Sequence, residues 1–429
     1  MRTAPPPRVH AEFMQVWEEG YVGTRGMFEA MHMQGVGIFS GGLLRRPDGT
    51  LDRDRIRTWL ATATRSIPYA HLRLMRSPAG LTAPAWVPDG RFDLDRHVRF
   101  TDDVMHVSSA TIPRLVGWDA GPLDLAHPLW RFQFTPLDDG RVALGVLMHH
   151  SGGDALRTLK FLAAVTTSDP GGAPTAGEDP FRGMRSPRRG GELPVLALRE
   201  WKAAGSGPAQ LWRDYRARSF TRRARRVSGR ILRPLRDRRS RATEASGTAQ
   251  HTGFRTLDGG DVQAAAEAAG ATLNDLVVAA AIRTASGDGS IVRVRVPVLR
   301  RRTEDSRNRV TDTAVVGSSA QPLTELVASV RAQLRLDHDA PAQETARDVG
   351  YATLVPWLSR TRHLCGARLE DMIVLPAGLP GDELSVFALL YDSRLSVVAT
   401  SRSTTDIDGV MQRLVADLAE PALHGAEES

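Results

Sequence analysis

Val142-Ala143-Leu144-Gly145-Val146-Leu147-Met148-His149-His150-Ser151-Gly152-Gly153-Asp154-Ala155 reads as a strand that turns sharply into a helix. Side chains of a strand alternate between faces. Val142, Leu144, Val146, Met148 and His150 therefore fall on one side, and Ala143, Gly145, Leu147 and His149 on the other. Both sides are largely apolar, as in a central strand covered on both faces. Ser151-Gly152-Gly153 then breaks the alternation as a tight turn, and a helix begins near Ala155. Strand and helix hold such a turn rigidly, and glycines at 152 and 153 let a substrate come close to the backbone.

Adjacent histidines followed by this aspartate are uncommon: a chain with 12 histidines yields the arrangement by chance roughly 0.02 times. His149 and His150 face opposite ways while the chain stays extended, so only one of them can address a given substrate. An imidazole with a pKa of about 6.5 can take a proton from an attacking hydroxyl or amine and return it to a leaving thiol. The same spacing also fits two hydrogen-bonded core histidines. Asp154 likewise stands where an N-cap would accept from the first amides of the following helix.

Working outward, 429 residues with 41% hydrophobic and 24% charged side chains suffice for two cores and are too apolar for broad disorder. The formal charge is +7, and Lys160 and Lys202 are the only lysines, so the positive charge is almost all guanidinium. That composition suits phosphate or carboxylate partners, or reflects Arg-rich coding. A single cysteine, Cys365, excludes an internal disulfide and a four-thiolate metal site and suits a reducing compartment, the cytoplasm by default. Met1 to His10 carries three prolines and no signal-peptide core, and no apolar run reaches the 18 or more residues of a membrane helix.

Between Thr167 and Gln250 Pro, Gly, Ser and Arg crowd together and apolar periodicity weakens, which predicts a linker. Within it, Arg213 to Arg241 holds 13 arginines against Asp214 and Asp237, a solvated or partner-bound surface. The expected organisation is a first lobe over 1–167, a linker over 168–250 and a second lobe over 251–429. In the first lobe, Leu51, Ile56, Trp59, Leu60 and Ala63 have helical spacing, and Trp130, Phe132 and Phe134 alternate as on a strand. In the second, a helix over 262–269 stops at Gly270 and Thr272 opens another through Ile282; 291–298 alternates Val with Arg as a strand. Strands over 384–391 and 395–400 flank a turn at Asp392-Ser393, and Ile407, Val410, Met411, Leu414 and Leu418 form a closing amphipathic helix. Both halves are mixed α/β, and a site is expected in the crevice between them.

An ordered set of short blocks adds a family resemblance. His149 to Asp154 matches H-H-x-x-x-D-G except that Ala155 replaces the final glycine. Upstream stand Met31-His32, Pro84-Ala85-Trp86-Val87, Phe92-Asp93-Leu94-Asp95-Arg96-His97-Val98, Pro122-Leu123-Asp124 and Pro128-Leu129-Trp130. Downstream stand Asn274-Asp275-Leu276-Val277, Val296-Pro297-Val298-Leu299-Arg300 and Asn308-Arg309-Val310-Thr311. In this order they resemble the bacterial wax ester synthase/diacylglycerol acyltransferase family, which belongs with chloramphenicol acetyltransferase and the condensation domains of peptide synthetases. A second departure is Val374-Leu375-Pro376-Ala377-Gly378, where that family has Asn-Val-Pro-Gly-Pro.

The resemblance implies two chloramphenicol-acetyltransferase-like lobes with a substrate tunnel between them. It implies His150 as general base, His149 beside it, and Asp154 in a structural salt bridge to an arginine such as Arg300. Asn274, Trp130 and Gly153 become candidate substrate contacts, although Thr272 to Asp275 also fits a capping box and Trp130 fits packing around the site. No bound cofactor is implied; acyl-CoA, or an acyl carrier thioester, is the co-substrate, and a long-chain alcohol or diacylglycerol is the acceptor. A tailoring O- or N-acyltransferase of specialised metabolism and a catalytically silent binding relative are the alternatives. The sequence contains no G-x-S-x-G, H-E-x-x-H or G-x-x-x-x-G-K motif, and Gly35-Val36-Gly37 lacks the third glycine of a dinucleotide fingerprint. A metal is not expected. Nucleic-acid binding by the arginines would leave the acyltransferase-like remainder unexplained, whereas an anionic membrane or lipid-body surface held through Arg213 to Arg241 suits a lipid acceptor.

Overall fold

The computed structural model describes residues 8–15, 18–23, 25–153, 155–203, 250–299, 310–335, 346–355, 357, 360–377, 379, 381–402 and 406–419. Asp154, Arg300, Asn308, Arg309, Gly378 and the stretch Arg213 to Arg241 lie outside them.

Val142–His149 is buried along its whole length and runs centrally in a six-stranded sheet, antiparallel to His32–Phe39 on one side and Trp130–Pro136 on the other. Val98–Phe100 closes one edge. One face of the strand, Val142, Leu144, Val146 and Met148, packs with Phe132, Phe134 and Trp130 against the helices Arg53–Thr64 and Ala155–Val165. The other face, Ala143 and Leu147, packs with Ile112, Leu115 and Val116 of a short helix. Gly145 permits that approach, because a Cβ there would stand 2.0 Å from the Leu115 carbonyl oxygen.

The second lobe is also a six-stranded sheet, in the order His251–Asp258, Arg394–Ser401, Leu384–Tyr391, Arg347–Val355, Val292–Leu299, Val310–Gly317. Parallel and antiparallel pairs are mixed in it. Val292, Val294 and Val296 pack under the helices Leu273–Ala285 and Leu323–Arg335, which leaves Arg293 and Arg295 on the opposite face. The hairpin at Asp392-Ser393 forms as the sequence predicts, with Asp392 at φ 55°. The helix expected from Val262 begins earlier, at Gly259, because Asp258 caps it by accepting from the amides of Gly260 and Asp261. Among the described residues no single helix is long and apolar enough to cross a membrane.

The lobes depart from the predicted boundaries in two ways. Ala367–Leu375 leaves the second half of the chain and adds itself to the first lobe's sheet, antiparallel to His32–Phe39. Its outer residues pack on the second lobe: Asp371 accepts from Ser396 Oγ at 2.8 Å and pairs with Arg394 at 3.1 Å, and Ile373 and Leu375 meet Val398. One strand thereby joins both cores. Residues 168–203 were expected to belong to a linker, yet Phe181 enters the first lobe's core, and Leu193, at the start of the helix Leu193–Ala203, packs with Met75, Ala85 and Val87. Scattered apolar residues found partners that no local periodicity announced.

Candidate active site

The strand ends at His149, His150–Gly152 forms one 3-10 turn, and the helix Ala155–Val165 follows. The turn is pinned from three sides. The amides of His149 and His150 donate to the carbonyls of Leu129 and Met31 at 3.0 and 2.9 Å, and the Tyr69 hydroxyl donates to Leu129 at 2.8 Å. The Tyr69 ring lies so close to Gly152 that a Cβ would stand 1.8 Å from it. At Gly153 a Cβ would meet the aliphatic stem of Arg157 at 2.6 Å. Both glycines therefore serve close packing of the turn, and neither is held by a left-handed φ.

His149 is completely buried and both its ring nitrogens are committed. Nε2 lies 3.1 Å from the Phe28 carbonyl, which can only accept, so Nε2 carries the proton; Nδ1 then accepts from the Ser151 amide at 3.1 Å and the Ser151 hydroxyl at 2.6 Å. Its ring stacks on Phe28 at 4.3 Å and meets His32 edge-on at 5.1 Å. Burial, reinforced by His32, holds its pKa well below the usual imidazole value. His32 is arranged in the opposite sense. Its Nδ1 donates to the Glu29 carbonyl at 2.8 Å and its Nε2 accepts from the Leu123 amide at 3.2 Å, and burial lowers its pKa to about 4. Two neutral imidazoles thus satisfy carbonyls in the last turn of the helix Arg25–Ala30.

His150 opens the turn and is half-buried, with the Tyr21 ring 5.6 Å away at 53°. Of the adjacent pair, His149 has no lone pair left for a substrate proton. Asp154 and Arg300, expected to form a salt bridge, lie outside the described residues.

The other predicted contacts fall elsewhere. Trp130 is fully buried; its indole N–H donates to Ala70 and its ring stacks on His97 at 4.6 Å, which removes it from contact with a substrate. Asn274 accepts from the Leu354 amide at 2.8 Å and ties its helix to the strand Arg347–Val355. The Thr272–Asp275 capping box is fully formed, each side chain accepting from the other's amide. Clefts of about 370 Å³ beside Thr166 and Arg362 and about 470 Å³ beside Ser109 and Phe254 are not lined by His150. No cluster of three metal-ligating side chains occurs among the described residues. Tyr21, Tyr69 and the Phe28 carbonyl are the neighbours that sequence reasoning missed. They lie far from the turn along the chain and carry no motif, so no local signal points to them.

Residues 27–277 match the sequence pattern described as the wax ester synthase/diacylglycerol acyltransferase catalytic domain. A Mycobacterium tuberculosis protein provisionally named a diacylglycerol O-acyltransferase is 41% identical over 110 residues, 25% of this chain and 23% of the relative's own length. The chain thus spans about a quarter of that relative. Across nearly the whole chain the fold is similar to a wax ester synthase/diacylglycerol acyltransferase from Marinobacter aquaeolei VT8, with TM-score 0.59, 18% identity, and 96% and 99% of the two chains covered. It is equally similar to the first condensation domain of the calcium-dependent antibiotic synthetase, with TM-score 0.59, 17% identity, and 96% and 97% covered.

Proposed function

We infer the function from one premise: the chain belongs to the wax ester synthase/diacylglycerol acyltransferase family. On that premise we propose an acyltransferase that moves an acyl group from a thioester, acyl-CoA in the first instance, to an alcohol. His150 is the general base. Its neutral ring takes the proton of the acceptor hydroxyl as the oxygen bonds to the acyl carbon. The tetrahedral adduct collapses with cleavage of the carbon–sulfur bond, and the imidazolium returns the proton to the departing thiolate. Ester and free thiol leave, and the base is neutral again. No covalent intermediate with the protein is needed, and holding both substrates in register supplies much of the acceleration.

The observation that supports this reading is the difference within the histidine pair: His149 is sealed, with both ring nitrogens taken up by three hydrogen bonds, and His150 is half-buried. Asp154 with an arginine such as Arg300 would brace the turn, and Asn274 would act through the Leu354 amide it holds. A carrier-bound donor or an amine acceptor is the second reading, favoured by the missing asparagine at Val374 to Gly378. In either case the protein works in the cytoplasm, with Arg213 to Arg241 touching an anionic membrane or lipid-body surface.

Thiol release from palmitoyl-CoA with 1-hexadecanol, dioleoylglycerol or an amine acceptor tests the chemistry. Turnover that His150→Ala leaves undiminished sinks the mechanism, and turnover only with carrier-bound donors selects the second reading. Salt-independent sedimentation with both neutral and anionic liposomes removes the membrane contact.

A further inference from the structure

The face of the second sheet that meets the first lobe is not uniform. At one end it is apolar and closed: Leu389 and Tyr391 enter the first lobe's core, and the Tyr391 hydroxyl donates to the Leu369 carbonyl. At the other end it carries ions. The Arg295 guanidinium lies 4.2 Å over the Tyr351 ring and pairs with Asp382; the Tyr351 hydroxyl donates to Asp312 at 2.7 Å; Arg293 pairs with Asp348 at 3.3 Å. Arg295 Nε is buried and has no hydrogen-bond partner among the described residues.

Strand registers place this polar end level with the histidine turn. Arg295 pairs with Tyr351, whose amide donates to Ser385, and Ser385 pairs with Thr400. Thr400 lies two residues beyond Val398, which packs with Ile373 and Leu375 of the joining strand. Leu375 pairs with Gln34, and Gln34 with Leu147, two residues before His149. From Arg394–Ser401 to Val292–Leu299 is three strand spacings, roughly 14 Å, so the cluster stands away from the reacting atoms and can hold only a distal part of a substrate.

A wall made for an alkyl chain would not be built this way. Asp382 is only 7% exposed, and an ion pair with a buried carboxylate is often no more stable than apolar side chains of the same volume, which would also suit a lipid better. Nor does the cluster suit the phosphates of a CoA donor, because among the described residues two guanidinium groups face three carboxylates. Carboxylates, a guanidinium and a nearby half-buried Phe387 on the same face instead offer paired acceptors and donors beside an apolar ring. Resting on the acyltransferase reading above, we propose that this face is a recognition subsite for an uncharged polyhydroxylated acceptor, a sugar or glycerol-type head, so that the alcohol acylated is a polar one.

The test uses the full chain with palmitoyl-CoA and two acceptors, methyl α-glucoside and 1-hexadecanol. Methyl α-glucoside is expected to have the higher kcat/KM. The double variant Arg295→Met/Asp382→Leu, which leaves no unpaired buried charge, is expected to lower the glucoside-to-hexadecanol ratio at least tenfold, chiefly through KM. Tyr351→Phe, which keeps the ring, is expected to lower it a few-fold. Thermal unfolding with and without methyl α-glucoside, in the absence of donor, reads binding separately. A preference for hexadecanol that the double variant does not alter, with no glucoside-dependent shift, overturns the subsite. A glucoside-dependent shift lost in the variant, with no thiol release from any acceptor, sustains the subsite and sinks the acyltransferase reading. Neither shift nor thiol release overturns both.

Discussion

The two lobes bury polar groups in opposite ways. In the first, His32 and His149 are sealed, neutral and fully hydrogen-bonded, each with a fixed tautomer. In the second, Arg295 and Asp382 pair on a face that is only partly covered, and Asp312, which accepts from the Tyr351 hydroxyl, is exposed. A sealed imidazole whose two nitrogens are both used is a structural element, whatever motif contains it. Groups left half-covered at the same level of the fold are the ones that can meet a ligand, which is why we propose the chemistry at His150 and the recognition in the second lobe.

The most decisive way to break this contrast is to exchange the fates of the two histidines. His150→Ala should lower kcat/KM by roughly 10²- to 10⁴-fold while leaving the unfolding midpoint nearly unchanged. His149→Ala should instead cost about 3 kcal/mol of stability, read by denaturant unfolding, because it opens a cavity and strands the Phe28 carbonyl and the Ser151 hydroxyl. The reverse pattern would mean that the wrong imidazole is treated as structural. Gly152→Ala sharpens the same point from the packing side. The added methyl collides with the Tyr69 ring, so a loss of about 3 kcal/mol is expected, and a stability equal to the parent chain would show that the turn is loose.

Acid should act on the first lobe. Burial lowers the pKa of His32 and of His97 to about 4, whereas the unfolded chain takes up these protons near 6.5. Between those values the unfolded state binds more protons, so stability is full above pH 7 and falls as the pH drops toward 4. At pH 5 each histidine should cost about 2 kcal/mol relative to pH 7, and unfolding curves in which His97→Gln shows no weaker acid dependence would contradict this. The smallest effect is Thr272→Ala, which removes one half of the capping box and should cost about 1 kcal/mol without changing acceptor preference. A changed preference would bring Asn274 and its helix back into the site.

Much of the architecture was legible because it is local. The alternation at Val142–His149, the Asp392-Ser393 hairpin and the closing helix Ile407–Ala419 all formed where their periodicity and turn residues placed them. The Thr272–Asp275 box likewise needed only residues three apart. The site was half legible. The motif pointed to a histidine at the turn, yet Trp130, equally prominent in the sequence, proved to be core packing held by Ala70 and His97.

What the sequence alone determined, then, was the alternation of strands and helices, the two mixed lobes and a histidine-bearing turn, since each follows from neighbours a few residues apart. Only the tertiary structure decided which imidazole is sealed and that Ala367–Leu375 crosses into the first lobe's sheet. The Nε2–H of His149 is satisfied by a carbonyl 121 residues away and Nε2 of His32 by an amide 91 residues away, while burial lowers the pKa of both rings. Burial and hydrogen-bond partners of that kind are properties of the folded whole, because desolvation depends on every element that closes over a group and not on the spacing of the residues beside it.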